Sequence, residues 1–366
     1  DGAIQITGSH NPPEFNGFNL SYKQGAFYGD QIQELKKLIE DGDFEPGSGK
    51  VEKVDIMIPY QAMLKEKIKI DKPLKAVIDC GNAAACLTAP QIFKEIGIET
   101  TELFCDVDGT FPNHHPDPTV EANLADLRAL VADKQLDFGI AFDGDGDRIG
   151  AIDGEGRVIW GDQLLMIYAQ DLLQRRAGAT IIADVKASRA LFDHVEAHGG
   201  KPVMWKTGHS LIKSKMKETG APLAGEMSGH VFFADTYYGY DDALYAGVRL
   251  IAASARLGHS VTELRGAMPD MVNTPEMRFQ VDESRKFAAV EEVRDRLADS
   301  PAQVNATDGV RVTTDDGWWL LRASNTQDVL VARAESDSAA GLARLMQQID
   351  EQLALSGLER GPQAEH

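Results

Sequence analysis

The chain has 366 residues, 43% of them hydrophobic and 26% charged, which is the make-up of a globular protein of about two to four domains rather than of a disordered one. No apolar run approaches the roughly 18 residues of a membrane-spanning helix. The formal net charge of -20 disfavours non-specific binding to nucleic acid or to anionic membranes, so an anionic substrate would need a local cluster of cations.

The first informative stretch is TGSHNPPEFNGFN, Thr7 to Asn19. Gly, Ser, Asn and Pro are turn residues, and Ser9 becomes a nucleophile only if a partner takes its proton or stabilises its charge. His10 is the one candidate beside it in sequence. The chain opens without methionine and reaches this motif by its seventh residue, so the expectation is a fragment whose N-terminal segment lies upstream. Apolar residues at helical spacing from Gln31 to Ile39 predict a helix, followed by an acidic Gly and Pro loop. LKAVIDCGN, Leu74 to Asn82, reads as a buried strand entering a turn, and APQIFKEIG as a helix closed by Gly97. Cys80, Cys86 and Cys105 are odd in number and form no C-x-x-C pair, which predicts three buried thiols in a reducing, cytoplasmic setting.

A second apolar strand, LDFGIAF, runs into DGDGDR and places Asp143, Asp145 and Asp147 at the carboxyl end of a strand, where open α/β sheets bind ligands. Glycines between the aspartates allow backbone angles that turn three carboxylates toward one point. Hard oxygen ligands at that density suit Mg²⁺ or Ca²⁺. An EF-hand is excluded, because Arg148 stands at the sixth position and Gly154 at the twelfth. The bland alternative is an acidic surface turn. Arg148 is either the counter-ion of the three acids or a ligand for a phosphate on the same metal.

A βαβα run follows, TIIADV, KASRALFDHVEAHG, KPVMWK and SLIKSKMKETG, and its alternation implies parallel strands in a second α/β domain. Lys186 ends the first of these strands, and His209 opens the second helix, whose N-terminus favours anions. In GEMSGH, Glu226, Ser228 and His230 alternate so that all three can face one pocket, a set that matches adjacent sugar hydroxyls but is also compatible with a plain loop. The amphipathic stretch DDALYAGVRLIAASARLG closes the unit, and MPDMVNTPE reads as a linker. The remaining chain predicts an α+β domain: strand RFQV, helix RKFAAVEEVRDRLADS, a hairpin across Asp315 to Gly317, strand DVLVARAES and a final helix. After the hairpin, RASNTQD gathers Arg322, Ser324, Asn325 and Thr326, donors that can clasp a phosphate or form a polar connection. His194 and His198 lack the glutamate of H-E-x-x-H and read as a solvated helix face. His114 and His115 read as a rigid loop, and Trp318 and Trp319 as core and rim.

Taken in order, TGSHNPP, DGDGDR, GEMSGH and RASNT resemble the α-D-phosphohexomutase superfamily, and FPNHHPDP and MWKTGHSLIK extend the resemblance over nearly the whole chain. The resemblance implies a multidomain α/β fold, with mixed or parallel sheets, a C-terminal α+β domain and a central cleft. Residues 1–54 would be the C-terminal remnant of a phosphoserine domain, 55–157 the metal domain, 158–269 the sugar domain and 270–366 the phosphate domain. It implies Ser9, His10 and Arg148 as catalytic residues, and one Mg²⁺ held by Ser9, Asp143, Asp145 and Asp147. The sugar would lie against Lys186, His209, Glu226, Ser228 and His230, and its phosphate against Arg322, Ser324, Asn325 and Thr326. The implied activity interconverts the 1- and 6-phosphates of mannose or glucose through a hexose 1,6-bisphosphate, in a cytoplasmic monomer whose partners are hexose phosphates, not nucleic acid or membrane. Two departures bear on this. Asn19 stands where the family pattern N-G-x-K has a lysine, and an amide is no acid or base near pH 7. Gln327 and Asp328 replace the family's usual continuation. The alternatives are a phosphoglucosamine mutase, which tends to carry Gln at Met227, and a sugar-phosphate-binding remnant without turnover.

Overall fold

A computed structural model describes residues 2–12, 14–23, 25–67, 74–324 and 327–361. Strands β1 (Gly2–Ile6), β2 (Phe18–Tyr22) and β3 (Gly25–Phe27) form an antiparallel sheet in that order, followed by helix α1 (Asp30–Asp41) and, after an extended segment, α2 (Met57–Lys67). Ile6 pairs with Phe18 and the Thr7 N–H donates to the Gly17 carbonyl at 3.1 Å, so residues 7–17 are pinched into one projecting loop. That loop carries Ser9.

The next unit contains β4 (Leu74–Asp79), α3 (Ala89–Glu95), β5 (Ile98–Leu103), α4 (Ala125–Lys134), β6 (Phe138–Phe142), β7 (Ile149–Asp153) and β8 (Val158–Ile159). Its sheet runs β5-β4-β6-β7-β8; β5, β4 and β6 are parallel, and β7 and β8 continue antiparallel, so the sheet is mixed. All five residues of β6 are buried, and the chain emerges from it at Asp143.

Helix α5 (Gly161–Arg175) leads into β9 (Thr180–Asp184), α6 (Arg189–Ala197), β10 (Lys201–Trp205), α7 (His209–Thr219), β11 (Leu223–Gly225), β12 (Val231–Phe233), α8 (Ala243–Leu257) and α9 (Val261–Gly266). The sheet order is β10-β9-β11-β12, with the first three strands parallel. One continuous apolar core extends from Leu64 to Leu264, so this sheet and the preceding one pack as neighbours rather than as separate beads. Helices α2, α4 and α5 and strands β5 and β7 are additions to the elements expected from sequence. In α5 the consecutive residues Leu164 to Ala169 are all buried, which removes the polar face that marks an amphipathic helix.

The C-terminal unit comprises β13 (Val272–Asn273), β14 (Met277–Gln280), α10 (Glu283–Leu297), β15 (Gln303–Asn305), β16 (Val310–Thr314), β17 (Gly317–Ala323), β18 (Val329–Ser336) and α11 (Ala339–Leu355). The sheet is antiparallel, β13-β18-β17-β16-β15, and β14 also pairs with β18. The expected linker is therefore partly strand, since Val272 and Asn273 hydrogen-bond along β18. Trp318 and Trp319 point to opposite faces of β17 and both are buried, which corrects the reading of one as rim. Trp319 enters the domain's own core, whereas Trp318 packs on Val185 of the preceding unit with the Arg311 guanidinium stacked on its ring at 3.6 Å. Arg311 also donates to the carbonyls of Val185 and Ala187 at 2.6 and 2.8 Å, which docks the two units.

Of the three thiols only Cys80 is buried; Cys86 and Cys105 are half-buried at the sheet end, with Cys105 Sγ 3.3 Å from Cys80 Sγ. Among the described residues no helix is long and apolar enough to cross a membrane. Trp318→Ala empties a buried site at the junction and is expected to cost about 3–5 kcal/mol, read as a lower urea midpoint of unfolding. An unchanged midpoint would contradict the packing described.

Candidate active site

Ser9 occupies a tight turn closed by the Asn11 N–H donating to the Gly8 carbonyl at 2.9 Å, and its φ of 52° is a left-handed value that non-glycine residues avoid. Thr7 holds that conformation: its Oγ1 accepts from the Ser9 N–H at 2.7 Å and donates to Asp145 Oδ2 at 2.7 Å. Ser9 Oγ is thereby placed 2.9 Å from His10 Nδ1 and 3.5 Å from Asp143 Oδ2, the latter at the outer limit of a hydrogen bond. The two interleaved glycines have separate reasons. Gly146 adopts a φ of 77°, as expected from sequence, but Gly144 is required for space, because a Cβ there would lie 2.0 Å from the Ser9 carbonyl oxygen.

His10 Nε2 lies 3.2 Å from Arg148 Nη1. Arginine only donates, so His10 Nε2 accepts and Nδ1 carries the proton, which makes His10 a donor to Ser9 Oγ in this arrangement. Burial and the Arg148 charge lower the His10 pKa to about 4, in keeping with a neutral ring. The His10 carbonyl accepts from His115 Nε2, and His114 bridges the His115 carbonyl and Asp79, at 2.9 and 3.0 Å. The His-His pair is thus a support of the serine loop and more than a rigid connection.

Asp143 is fully buried. Its Oδ1 accepts from the backbone N–H groups of Gly146, Asp147 and Arg148 at 3.0, 3.0 and 3.1 Å, leaving Oδ2 to face Ser9. One oxygen from each of Asp143, Asp145 and Asp147 falls within 4.8 Å of the others; Asp147 Oδ1 faces His230 Nε2 at 3.2 Å, and Asp145 Oδ1 is buried without a hydrogen-bond partner. Burial and then the Asp147 charge raise Asp143 and Asp145 above the usual carboxylate range. Burial acts likewise on Asp147, but His230 and Arg148 outweigh it and hold its pKa low. Hard oxygens converging in this way fit a divalent cation such as Mg²⁺.

The loop Glu226 to His230 joins β11 to β12 and is drawn onto the carboxylate loop by a backbone bridge between Arg148 and His230. Glu226 Oε1 accepts from the Gly208 N–H at 2.7 Å, its Oε2 lies 3.1 Å from His230 Nδ1, and Ser228 Oγ is 3.0 Å from the same nitrogen. Burial would lower the His230 pKa, but Asp147 and Glu226 raise it to about 10, so the imidazolium carries charge near pH 7. His209 stacks on His230 with ring centres 5.9 Å apart and sits 3.1 Å from Lys213 Nζ; burial and Lys213 lower its pKa. Alternation along GEMSGH does therefore gather Glu226, Ser228 and His230.

The remaining expected residues sit further out. Lys186 is buried with its ammonium 2.8 Å from Glu276 Oε2, and Arg322 donates from Nε to Asp308 Oδ2 at 3.0 Å. Ser324 Oγ accepts from the Gln327 N–H at 3.2 Å, while Asn325 and Thr326 lie outside the described residues. A cleft of about 1420 Å³ opens beside the carboxylates, lined by Asn19, Tyr60, Asp147, His209, Lys213 and Asp241 among others. Asp117, whose Oδ2 lies 3.9 Å from His10 Nε2, and Thr7, Lys213 and Asp241 were not singled out from sequence, although TGSHNPP holds Thr7, FPNHHPDP holds Asp117 and MWKTGHSLIK holds Lys213.

The geometry can be set beside known proteins. The chain matches the phosphoglucomutase/phosphomannomutase domain families in order: domain I over residues 1–46, domain II over 59–156, domain III over 160–271 and the C-terminal domain over 276–352. It is 46% identical to the phosphomannomutase/phosphoglucomutase of Pseudomonas aeruginosa over 342 residues, 93% of this chain and 74% of that protein. It is 42% identical to the phosphoglucomutase of Neisseria meningitidis serogroup A over 349 residues, 94% of this chain and 76% of that one. A crystal structure of a phosphoglucomutase/phosphomannomutase family protein from Burkholderia thailandensis superposes with a TM-score of 0.92 at 46% identity, covering 98% of this chain and 77% of that one.

Adding Mg²⁺ to chelator-treated protein is expected to raise the melting midpoint by about 5 °C at saturation. Asp145→Asn should abolish most of that shift, and a shift that persists in the variant would place the cation elsewhere.

Proposed function

Because the chain belongs to the phosphoglucomutase/phosphomannomutase family, we propose that it interconverts the 1- and 6-phosphates of glucose and mannose by phosphoryl transfer through Ser9. The observation that carries this reading is the meeting of Ser9 Oγ with Asp143 Oδ2, 134 residues apart in sequence, where oxygens of Asp143, Asp145 and Asp147 converge within 4.8 Å of one another.

In the forward direction, starting from phosphorylated Ser9, the bond between phosphorus and Ser9 Oγ breaks while a bond forms to one sugar hydroxyl, whose proton ends on Ser9 Oγ, giving a hexose 1,6-bisphosphate. The sugar then turns over in the cleft, and its other phosphoryl group returns to Ser9. Transfer of this kind depends mainly on positioning and electrostatics. Asp143, Asp145 and Asp147, with an oxygen on Ser9, would hold Mg²⁺, whose contribution there is to neutralise charge on the transferring group. The neutral His10 ring orients Ser9 Oγ by donation from Nδ1, and Arg148 fixes that tautomer. Glu226 and Ser228, aligned by Gly208 and His230, accept from and donate to sugar hydroxyls. Arg322 and Ser324 take the phosphate that does not react.

Met227 packs its sulfur on Arg333 and supplies no amide to an amino sugar, which favours glucose and mannose over glucosamine. An odd number of cysteines without a C-x-x-C pair supports a reducing, cytoplasmic setting.

Ser9→Ala is expected to lower kcat for glucose 1-phosphate at least about a thousandfold with the melting midpoint unchanged, since the nucleophile is lost and the loop is not. Activity retained in that variant, or none in the native chain with either sugar, would overturn the reading. Asn19 lies exposed on β2 and lines the cleft, with no proton to give or take near pH 7. Asn19→Lys should raise kcat about tenfold or more, as a general acid-base group does.

A further inference from the structure

We propose that Asp308 is a positioning residue that couples the phosphate-binding arginine to the sugar pocket. The inference rests on the reading that Arg322 receives the substrate phosphate. Asp308 lies in the turn before β16, and its single oxygen Oδ2 accepts two hydrogen bonds, from Arg322 Nε at 3.0 Å and from the Thr207 N–H at 3.0 Å. These donors belong to different units of the fold. Thr207 opens the loop that continues through Gly208, whose N–H holds Glu226, to His209 at the start of α7. The Thr207 hydroxyl reaches Asp184 Oδ2 at 3.3 Å, and Asp184 Oδ1 accepts from the Met227 N–H, also at 3.3 Å. Residues 207 and 208 are therefore held by three carboxylates, of which Asp308 alone comes from the C-terminal unit.

The approach of Asp308 to Arg322 is a built feature. Gly309 has a φ of 79°, and a Cβ on it would stand 2.4 Å from the Leu321 carbonyl oxygen and 2.6 Å from Arg322 Cβ. Only a residue without a side chain lets this turn lie flat on β17. Arg322 and Asp308 are both shielded, with side-chain exposures of 7% and 14%, so their pairing is little screened by solvent. Asp308 occupies the Nε and Nη2 edge of the guanidinium, at 3.0 and 3.5 Å, and so sets the plane in which the donor fork meets an incoming oxyanion. The carboxylate thus fixes where the phosphate that does not react sits relative to Glu226, and so where the opposite end of the sugar lies, in either orientation, relative to Ser9.

The test measures glucose 1-phosphate binding to the whole chain by calorimetry, beside steady-state kinetics, for Asp308→Ala, Asp308→Asn, Arg322→Ala and the double variant Asp308→Ala with Arg322→Ala. Asp308→Ala should weaken binding about tenfold or more, as truncating one partner of a shielded charge pair does, with KM rising more than kcat falls. Asp308→Asn, which keeps one acceptor, should lose less. In the Arg322→Ala background the loss of Asp308 should change binding less than twofold, because the two act as a unit. Native affinity in Asp308→Ala, or independent and multiplying effects in the double variant, would overturn the proposal while leaving the mutase reading in place. Failure of the native chain to bind glucose 1-phosphate would overturn both.

Discussion

Three carboxylates crowd the end of a buried strand, and the site around them is organised by the need to offset their repulsion. Asp143 spends one oxygen on three backbone N–H groups, which is the pattern by which a loop stabilises an ionised acid without a cation. Arg148, next in sequence, and His230, from a loop 82 residues later, supply positive charge to Asp147. Thr7 supplies a hydrogen bond to Asp145. These contacts still leave Asp145 Oδ1 buried without a partner and three carboxylates converging on one point. A divalent cation would complete the array, and a serine held against the same oxygens is where phosphoryl chemistry would be carried out.

The same electrostatic demand explains why the site is an assembly of separate units. The serine loop reaches the carboxylates through Thr7 and Ser9, the Glu226–His230 loop through the Arg148 and His230 bridge, and the C-terminal unit reaches the unit before it through Asp308, on Thr207, and Arg311, on the Val185 and Ala187 carbonyls. These polar connections act beside the apolar core that the two central units share. The apolar contact at Trp318 adds stability where the last unit docks. Substrate placement is thus tied to the mutual placement of loops that are distant in sequence.

Much of this was legible in the chain itself. LDFGIAF followed by DGDGDR marks a buried strand ending in oxygen ligands, because a short apolar run and glycine-spaced acids each have a physical reading. Helices α1, α6, α7, α10 and α11 follow from their periodic faces, whereas α5 has acids buried at Asp162 and Asp171 and apolar residues all round, so no period stands out. The support residues were illegible for a different reason. Thr7 acquires its role from Asp145, 138 residues away, and Asp308 from Thr207, 101 residues away, and neither sits in a pattern that local chemistry distinguishes from a turn. Gly144 was read correctly as necessary and wrongly as to cause, since its angle is ordinary and the constraint is the Ser9 carbonyl.

The account stands on Ser9 being the group that carries phosphoryl against the three aspartates. Incubation of the chain with glucose 1,6-bisphosphate and Mg²⁺, followed by peptide mass mapping, tests it directly. The account predicts an increment of about 80 Da, one phosphoryl group, on the peptide containing Ser9 and its absence in Asp145→Asn. A label on His10 or elsewhere, or one that forms equally well without the three carboxylates, would contradict it.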